Sequence, residues 1–424
     1  MSNYLAKYIV KVKTMKKNIR KNFIWNTIGS TLNATTSLFF LIIVTRLNGV
    51  DEAGLFTFAF STSCLLQVIG TYFGRAYQVT ERDKELTNND FLFSRYITCG
   101  FMMVSAIFFV IVKGYFLYKV EMILLLTLYK MIEAYSESIY AIIQRNEELY
   151  KVGISLFFKG LLGLFSFFLI DWLTKNLIIS IISLLIVNSI ILLFYDLRNI
   201  KQYDYKRTKL AFSKVRKILK KGFFTFLFTL LTQYVINAPK YAIDSFMNDN
   251  YQAIFGIIIM PATLIILCGQ FLIQPFLGKL TNCLNLNNRK EFLGTVFKII
   301  GWLMIFGIVA NILAGTIGIP FLEGIYGVKL KDYLNALIMI VSGATLFGIS
   351  YILSNALIAM RKTKEQCLIF LIASLFEFLI SNKLVIFKEI LGASLAYFFT
   401  MLFILIMYII VFIREINRWK SGNK

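Results

Sequence analysis

Apolar runs of about 20 residues, the length needed to cross ~30 Å of hydrocarbon as helix, follow one another along the chain with short polar breaks. Twelve are predicted as spans: 23–45, 54–75, 96–117, 121–143, 152–170, 176–195, 222–241, 252–275, 295–319, 333–358, 366–386 and 390–413. Strands of a membrane barrel would alternate apolar and polar residues over about 10 positions. Runs such as "SLFFLIIVT" and "IISIISLLIVNSIILLF" do not alternate, so the spans are helices. The fold class read from this pattern is an all-α integral membrane protein. The breaks group its spans into 1–195 (a basic arm plus spans one to six), a basic cytoplasmic linker at 196–221, and 222–424 (spans seven to twelve). Around the linker the sequence echoes itself at an offset of 200, "DEAGLFTFAFS" against "YQAIFGIIIMPA", with Ala53 over Ala253. Two parallel repeats of this kind are a transporter plan.

Composition agrees. Of 424 residues 58% are hydrophobic and 16% aromatic, above the roughly half-apolar share of soluble domains. No stretch is left for a sizeable soluble domain. Lys and Arg concentrate in loops retained in the cytoplasm. They crowd the N-terminal arm (Lys7, Lys11, Lys13, Lys16, Lys17, Arg20, Lys21), the linker, and the even-numbered loops "RNEELYK" and "RKTKEQ", whereas "NGVDEAG" and "DWLTKN" are poor in them. Both termini are therefore predicted inside, in a multi-pass membrane protein. The net charge of +22 is mostly topology, and without a compact module to present it no nucleic acid is expected as partner. Membrane lipids are. "LAKYIVKVKTMKKNI" sets Leu5, Tyr8, Ile9 and Val12 on one helix face, and "KLAFSKVRKILKK" does so with Ala211, Val215, Ile218 and Leu219. Such basic amphipathic segments suit an anionic leaflet.

No signal-peptide cleavage pattern is present, so the first span is expected to stay as an anchor, and Met15 would serve as a start as well as Met1. Cys64, Cys99, Cys268, Cys283 and Cys367 form no CxxC pair; four fall in spans and Cys283 in an inside loop, where small buried hydrophobes are expected. The chain has no histidine, which removes His-based catalysis and His metal ligation. No Walker loop occurs either. No cofactor, no metal and no catalytic residue are predicted.

Ionisable groups inside spans cost ~2.5–3.5 kcal/mol each on insertion scales and face cavities or partners. Lys130, Glu133 and Glu137 stack on one face of span four with Gln144, Ser136 and Tyr140 nearby. The alternative role for Lys130 and Glu133 is a helix-locking ion pair. Lys159 lies ~12 Å into span five, facing a cavity or snorkelling in part. Glu377 stands alone in span eleven, either as a protonatable site or hydrogen-bonded to a neighbouring helix. Arg75 ends span two and Lys298 reads as a snorkel. In "INAPKYAIDSF" Pro239 cannot donate to the carbonyl of Val235, and Lys240 and Asp244 fall four apart. This is either a gate or a proline-marked helix end with an interfacial pair. Pro261, Gly269, Pro275, Pro320, Gly343 and Gly348 also permit bending.

"TRLNGVDEAGLFTFAFS", "AIIQRNEELYKVG", "NAPKYAID" and "LSNALIAMRKTKEQ" together resemble the bacterial polysaccharide-repeat-unit flippases, over nearly the whole chain. Asn48 and Phe56 depart from the Gly and Tyr common there. The resemblance implies the MOP superfamily, which also holds the MATE multidrug exporters, and hence two six-helix lobes around a central cavity. It implies a substrate as well: an undecaprenyl-diphosphate-linked oligosaccharide moved from the inner to the outer leaflet by alternating access. Arg75, Lys130, Lys159 and Lys240 are then the cations for the diphosphate, and Tyr140, Asn33 and Gln233 the groups for sugar. Glu133, Glu137 and Glu377 are the coupling candidates for H+ or Na+, with Pro239 and Asp244 at a gate. A polysaccharide polymerase and glycosyltransferases of a capsule or O-antigen pathway are the implied protein partners. The competing expectation is a MATE-like exporter of organic cations, which buried carboxylates permit and buried lysines oppose.

Overall fold

A computed structural model describes residues 2–81, 85–201, 203, 212–360 and 362–421, with side chains from 20 to 419 except 363. The expected amphipathic stripe of Leu5, Tyr8, Ile9 and Val12 lies outside the described side chains, and Lys206, Arg207, Lys209 and Ala211 lie outside the described residues. Helices follow in chain order: α1 (Ser2–Asn48), α2 (Val50–Thr71), α3 (Gly74–Thr80), α4 (Asn88–Lys113), α5 (Leu117–Arg145), α6 (Leu149–Thr174), α7 (Leu177–Ile191), α8 (Leu197–Ile200), α9 (Phe212–Phe246), α10 (Asp249–Ile258), α11 (Met260–Ile273), α12 (Leu277–Asn285), α13 (Arg289–Leu313), α14 (Ile319–Tyr326), α15 (Leu334–Ala359) and α16 (Thr363–Ser421). No strand occurs among the described residues.

Nine segments of the described chain are long and apolar enough to cross a membrane. The last of them, Lys364–Trp419, contains a break in α16 where Lys388 and Glu389 leave helical geometry, Glu389 at φ +49°. α5 and α9 are 29 and 35 residues long, but they carry the charged and polar positions singled out in the sequence and fall outside the nine. Length and apolarity alone therefore do not reach the expected twelve.

The chain divides into two compact units, Met1–Asn48 with Ala59–Phe226, and Gly49–Phe58 with Leu227–Lys424. In the first, α1 and α6 touch backbone to backbone. A Cβ at Gly29 would sit 2.1 Å from the carbonyl oxygen of Gly153, and one at Gly153 would sit 2.2 Å from that of Trp25. Small residues let membrane helices approach this closely, and packing rather than hydrophobic exclusion then holds them. Asn22 secures one end of the crossing, donating to the Glu147 carbonyl at 2.7 Å and accepting from the Tyr150 N–H at 2.9 Å. α4 begins in a capping box, with Asp90 accepting from the Thr87 N–H at 2.8 Å. Its fully buried Arg95 donates to the Gly70 carbonyl at 2.6 Å and stacks over the Phe73 ring, a cation placed at the negative end of α2. α7 passes into α8 through a π-helical turn, Leu192–Asp196.

In the second unit α15 is the central packing element. Gly343 meets the Tyr397 ring, Gly348 meets Leu303, and Gly307 of α13 meets Thr345. Gly343 and Gly348 lie in an unbroken helix, so here they serve close packing rather than bending. The prolines divide. Pro261 opens α11, Pro275 lies in the 3-10 turn Gln274–Phe276, and Pro320 follows the π turn Ala314–Gly318. Pro239 sits inside α9, which runs past it without interruption. Ala53 and Ala253, the aligned pair of the internal echo, are both fully buried, and a Cβ at Gly54 would lie 1.8 Å from the Asp249 carbonyl oxygen. All five cysteines are free; Cys283, expected in a loop, lies in α12.

Candidate functional site

The polar face of α5 lines a cavity of about 210 Å³ in the first unit. Helical spacing of three and four residues stacks Lys130, Glu133 and Glu137 on that face. Lys130 Nζ lies 2.8 Å from Glu133 Oε2, which also accepts from Gln67 Nε2 of α2 at 3.1 Å. The Lys130 ammonium stands 4.7 Å from the centre of the Phe60 ring, a cation–π contact of the kind that strengthens when water is excluded. Glu137 faces Arg75 of α3 at 3.5 Å, a half-exposed pair. Asn33 of α1 and Lys159 of α6 complete the polar lining. At under ~300 Å³, the low end for sites that take drug-sized molecules, the cavity suits a compact charged group and not an oligosaccharide.

Lys159 is held by three oxygens. Its Nζ donates to Ser136 Oγ at 2.6 Å, to Tyr140 OH at 3.1 Å and to Asp196 Oδ2 at 2.6 Å, while Tyr140 OH in turn pairs with Ser155 Oγ at 2.8 Å. Lys159 and Asp196 have side-chain exposures of 4% and 0%. Taking two charges out of water costs several kcal/mol per ion, and only close, well-hydrogen-bonded geometry repays it. A snorkelling lysine is excluded here: the ammonium is turned into the bundle. Asp196 Oδ1 has no hydrogen-bond partner.

Asp196 is the residue that sequence reasoning missed. It sits at the end of an apolar run and reads there as the first residue of the basic linker. The π-helical turn that ends at Asp196 changes the angular register by accommodating an extra residue, and so brings its carboxylate inward. An acid directly after "IILLFY" was the available signal.

Three of the four predicted headgroup cations, Arg75, Lys130 and Lys159, thus lie in the first unit, each facing one carboxylate. Lys240, nearly buried, and the half-buried Asp244 and Gln233 lie on α9 in the second. Glu377 is also there, fully buried, accepting from the Thr400 hydroxyl across the break of α16, with Oε1 unpartnered. Gln144 is not among the residues lining the cavity. Lys298 is exposed over the Trp302 ring, 5.0 Å from its centre. Among the described residues no group of three or more Cys, Asp or Glu could hold a metal ion.

No protein-family model matches the chain. Its structure superposes on the inward-facing form of a multidrug-resistance MATE family transporter of the MOP superfamily with a TM-score of 0.69, at 12% identity, covering 94% of this chain and 100% of that one. The inward closed form of the lipid II flippase MurJ gives a TM-score of 0.69 at 16% identity, covering 92% and 87%. The fold is therefore MATE-like, in a multi-pass membrane protein. In sequence the chain is similar to the capsular polysaccharide biosynthesis protein CapF of Staphylococcus aureus, 26% identical over 380 residues, which span 87% of this chain and 92% of that one.

Proposed function

We propose that this chain is a flippase that moves undecaprenyl-diphosphate-linked oligosaccharide repeat units from the inner to the outer leaflet of the cytoplasmic membrane by alternating access, for synthesis of a surface polysaccharide. The observation that carries the reading is a pair of buried lysines, Lys130 and Lys159, at a small polar cavity inside a membrane bundle. A membrane-embedded cation needs an anion, and a diphosphate on a lipid is an anion that travels there. Similarity to CapF, a capsular polysaccharide biosynthesis protein, along most of the chain supports a part in surface-polysaccharide synthesis.

The geometry sets the terms of binding. Each lysine is already neutralised by a carboxylate, and breaking a buried pair without a replacement costs ~3–5 kcal/mol. The diphosphate therefore takes the place of Glu133 or Asp196, and a proton or Na+ taken up by the released carboxylate compensates its charge. Glu137 and Glu377 are the further coupling candidates. Glu377→Gln keeps a neutral partner for Thr400, so normal membrane abundance with loss of surface polymer is expected; normal polymer would make Glu377 structural. Lys130→Ala should lower polymer output about tenfold or more, the worth of one charge-assisted hydrogen bond at ~1.5–3 kcal/mol.

The reading as a whole is tested in a strain lacking the chain. Accumulation of lipid-linked repeat on the inner leaflet with loss of surface polysaccharide is expected. Unchanged polysaccharide with raised sensitivity to organic cations would replace it by the exporter reading.

A further inference from the structure

The start of α9 carries two stripes of positive charge with different surroundings. Lys214, Lys217 and Lys221, spaced three and four apart and so on one face, reach Asp90, Glu85 and Glu81 at 3.4, 2.7 and 3.5 Å. Those three lysines fasten α9 to the end of α3, to Glu85 and to the first turn of α4. Arg216 and Lys220 lie on another face, one turn apart and exposed, and form no ion pair among the described residues. Instead they border a groove of about 750 Å³ whose remaining lining is apolar, with Leu219, Phe223 and Phe224 of α9 on one wall and Ile97 and Phe101 of α4 on the other. Phe101 is 61% exposed, although it lies ~20 Å along α4 from its start at 1.5 Å per residue. The groove thus runs from two cations that form no ion pair among the described residues into the depth of the membrane.

We propose that this groove is a saturable site for one anionic phospholipid of the adjoining leaflet, its phosphate on Arg216 and Lys220 and an acyl chain along Phe223, Phe224 and Phe101. Charge complementarity selects the headgroup, since among the described residues Asp90, Glu85 and Glu81 are already paired with the other lysine stripe. Magnitude selects the source. Exposed juxtamembrane cations contribute about 1 kcal/mol each toward an anionic lipid, enough to hold an abundant bilayer component and too little to capture a scarce carrier lipid. The inference rests on the membrane placement of the fold and is independent of the flippase reading.

Purified full-length chain in detergent, titrated with phosphatidylglycerol and followed by native mass spectrometry, should retain one lipid per chain and retain phosphatidylcholine far less. Arg216→Gln with Lys220→Gln should weaken phosphatidylglycerol binding about 30-fold, the sum for two such cations, while Lys217→Gln should leave it unchanged. Quenching of a tryptophan at position 223 (Phe223→Trp) by brominated phosphatidylglycerol checks the location without disturbing the cations. Equal retention of phosphatidylcholine, undiminished binding by the double variant, or no quenching would each overturn the proposal. So would displacement of phosphatidylglycerol by an equimolar polyprenyl phosphate, which would assign the groove to the carrier lipid.

Discussion

Lys159→Ala is expected to lose surface polysaccharide entirely and to lower the stability of the purified protein by ~3–5 kcal/mol, because Asp196 loses its counter-ion at 0% exposure. Asp196→Asn removes the same pair from the other side and leaves Lys159 with Ser136 and Tyr140, so its loss of stability should be smaller. The informative variant is the double replacement Lys159→Met with Asp196→Leu. Exchanging a buried ion pair for apolar groups of similar volume is often neutral or stabilising. Thermal unfolding in detergent should therefore return close to wild type while polymer output stays absent. A double variant that is both stable and active would make the pair a packing device and remove Lys159 from the headgroup cavity.

The second large effect is expected at the crossing of α1 and α6. Gly153→Leu drives a side chain into the Trp25 backbone, which lies 2.2 Å from where the Cβ must stand. Backbone cannot step aside as a flexible side chain can. Overpacking costs 1–3 kcal/mol in ordinary cores and more where neighbours are rigid, so failure to accumulate in the membrane is expected by immunoblot. Gly100→Leu, on a lipid-facing part of α4 with nothing within 4 Å of the new Cβ, is the matched control and should accumulate normally. Equal abundance of both would mean that α1 and α6 separate at little cost.

Much of this was legible because membrane helices leave a strong trace. Apolar length gave the helical class, and the cost of burying charge marked Lys130, Glu133 and Lys159, which the fold brings to one cavity. The break expected between spans eleven and twelve appears at Lys388 and Glu389. What the sequence hid was angular and tertiary. A π turn rotates Asp196 inward, and no periodicity assumed at 3.6 residues per turn can place it. The basic linker looked uniform, yet the cations on two faces of one helix divide between acids and an apolar groove, a division decided by what packs beside α9. The proline-marked helix end expected as one reading of Pro239 is absent, since α9 passes through it; a missing N–H weakens a helix without dictating where it ends.

The most direct measurement is leaflet exposure of a labelled polyprenyl-diphosphate saccharide in vesicles reconstituted with the purified chain. Saccharide should become accessible to an enzyme added outside faster than in protein-free vesicles, and Lys159→Met with Asp196→Leu, reconstituted at equal density, should abolish the gain. Equal exposure with and without the chain, under proton and sodium gradients of either direction, would contradict a lipid-linked oligosaccharide flippase.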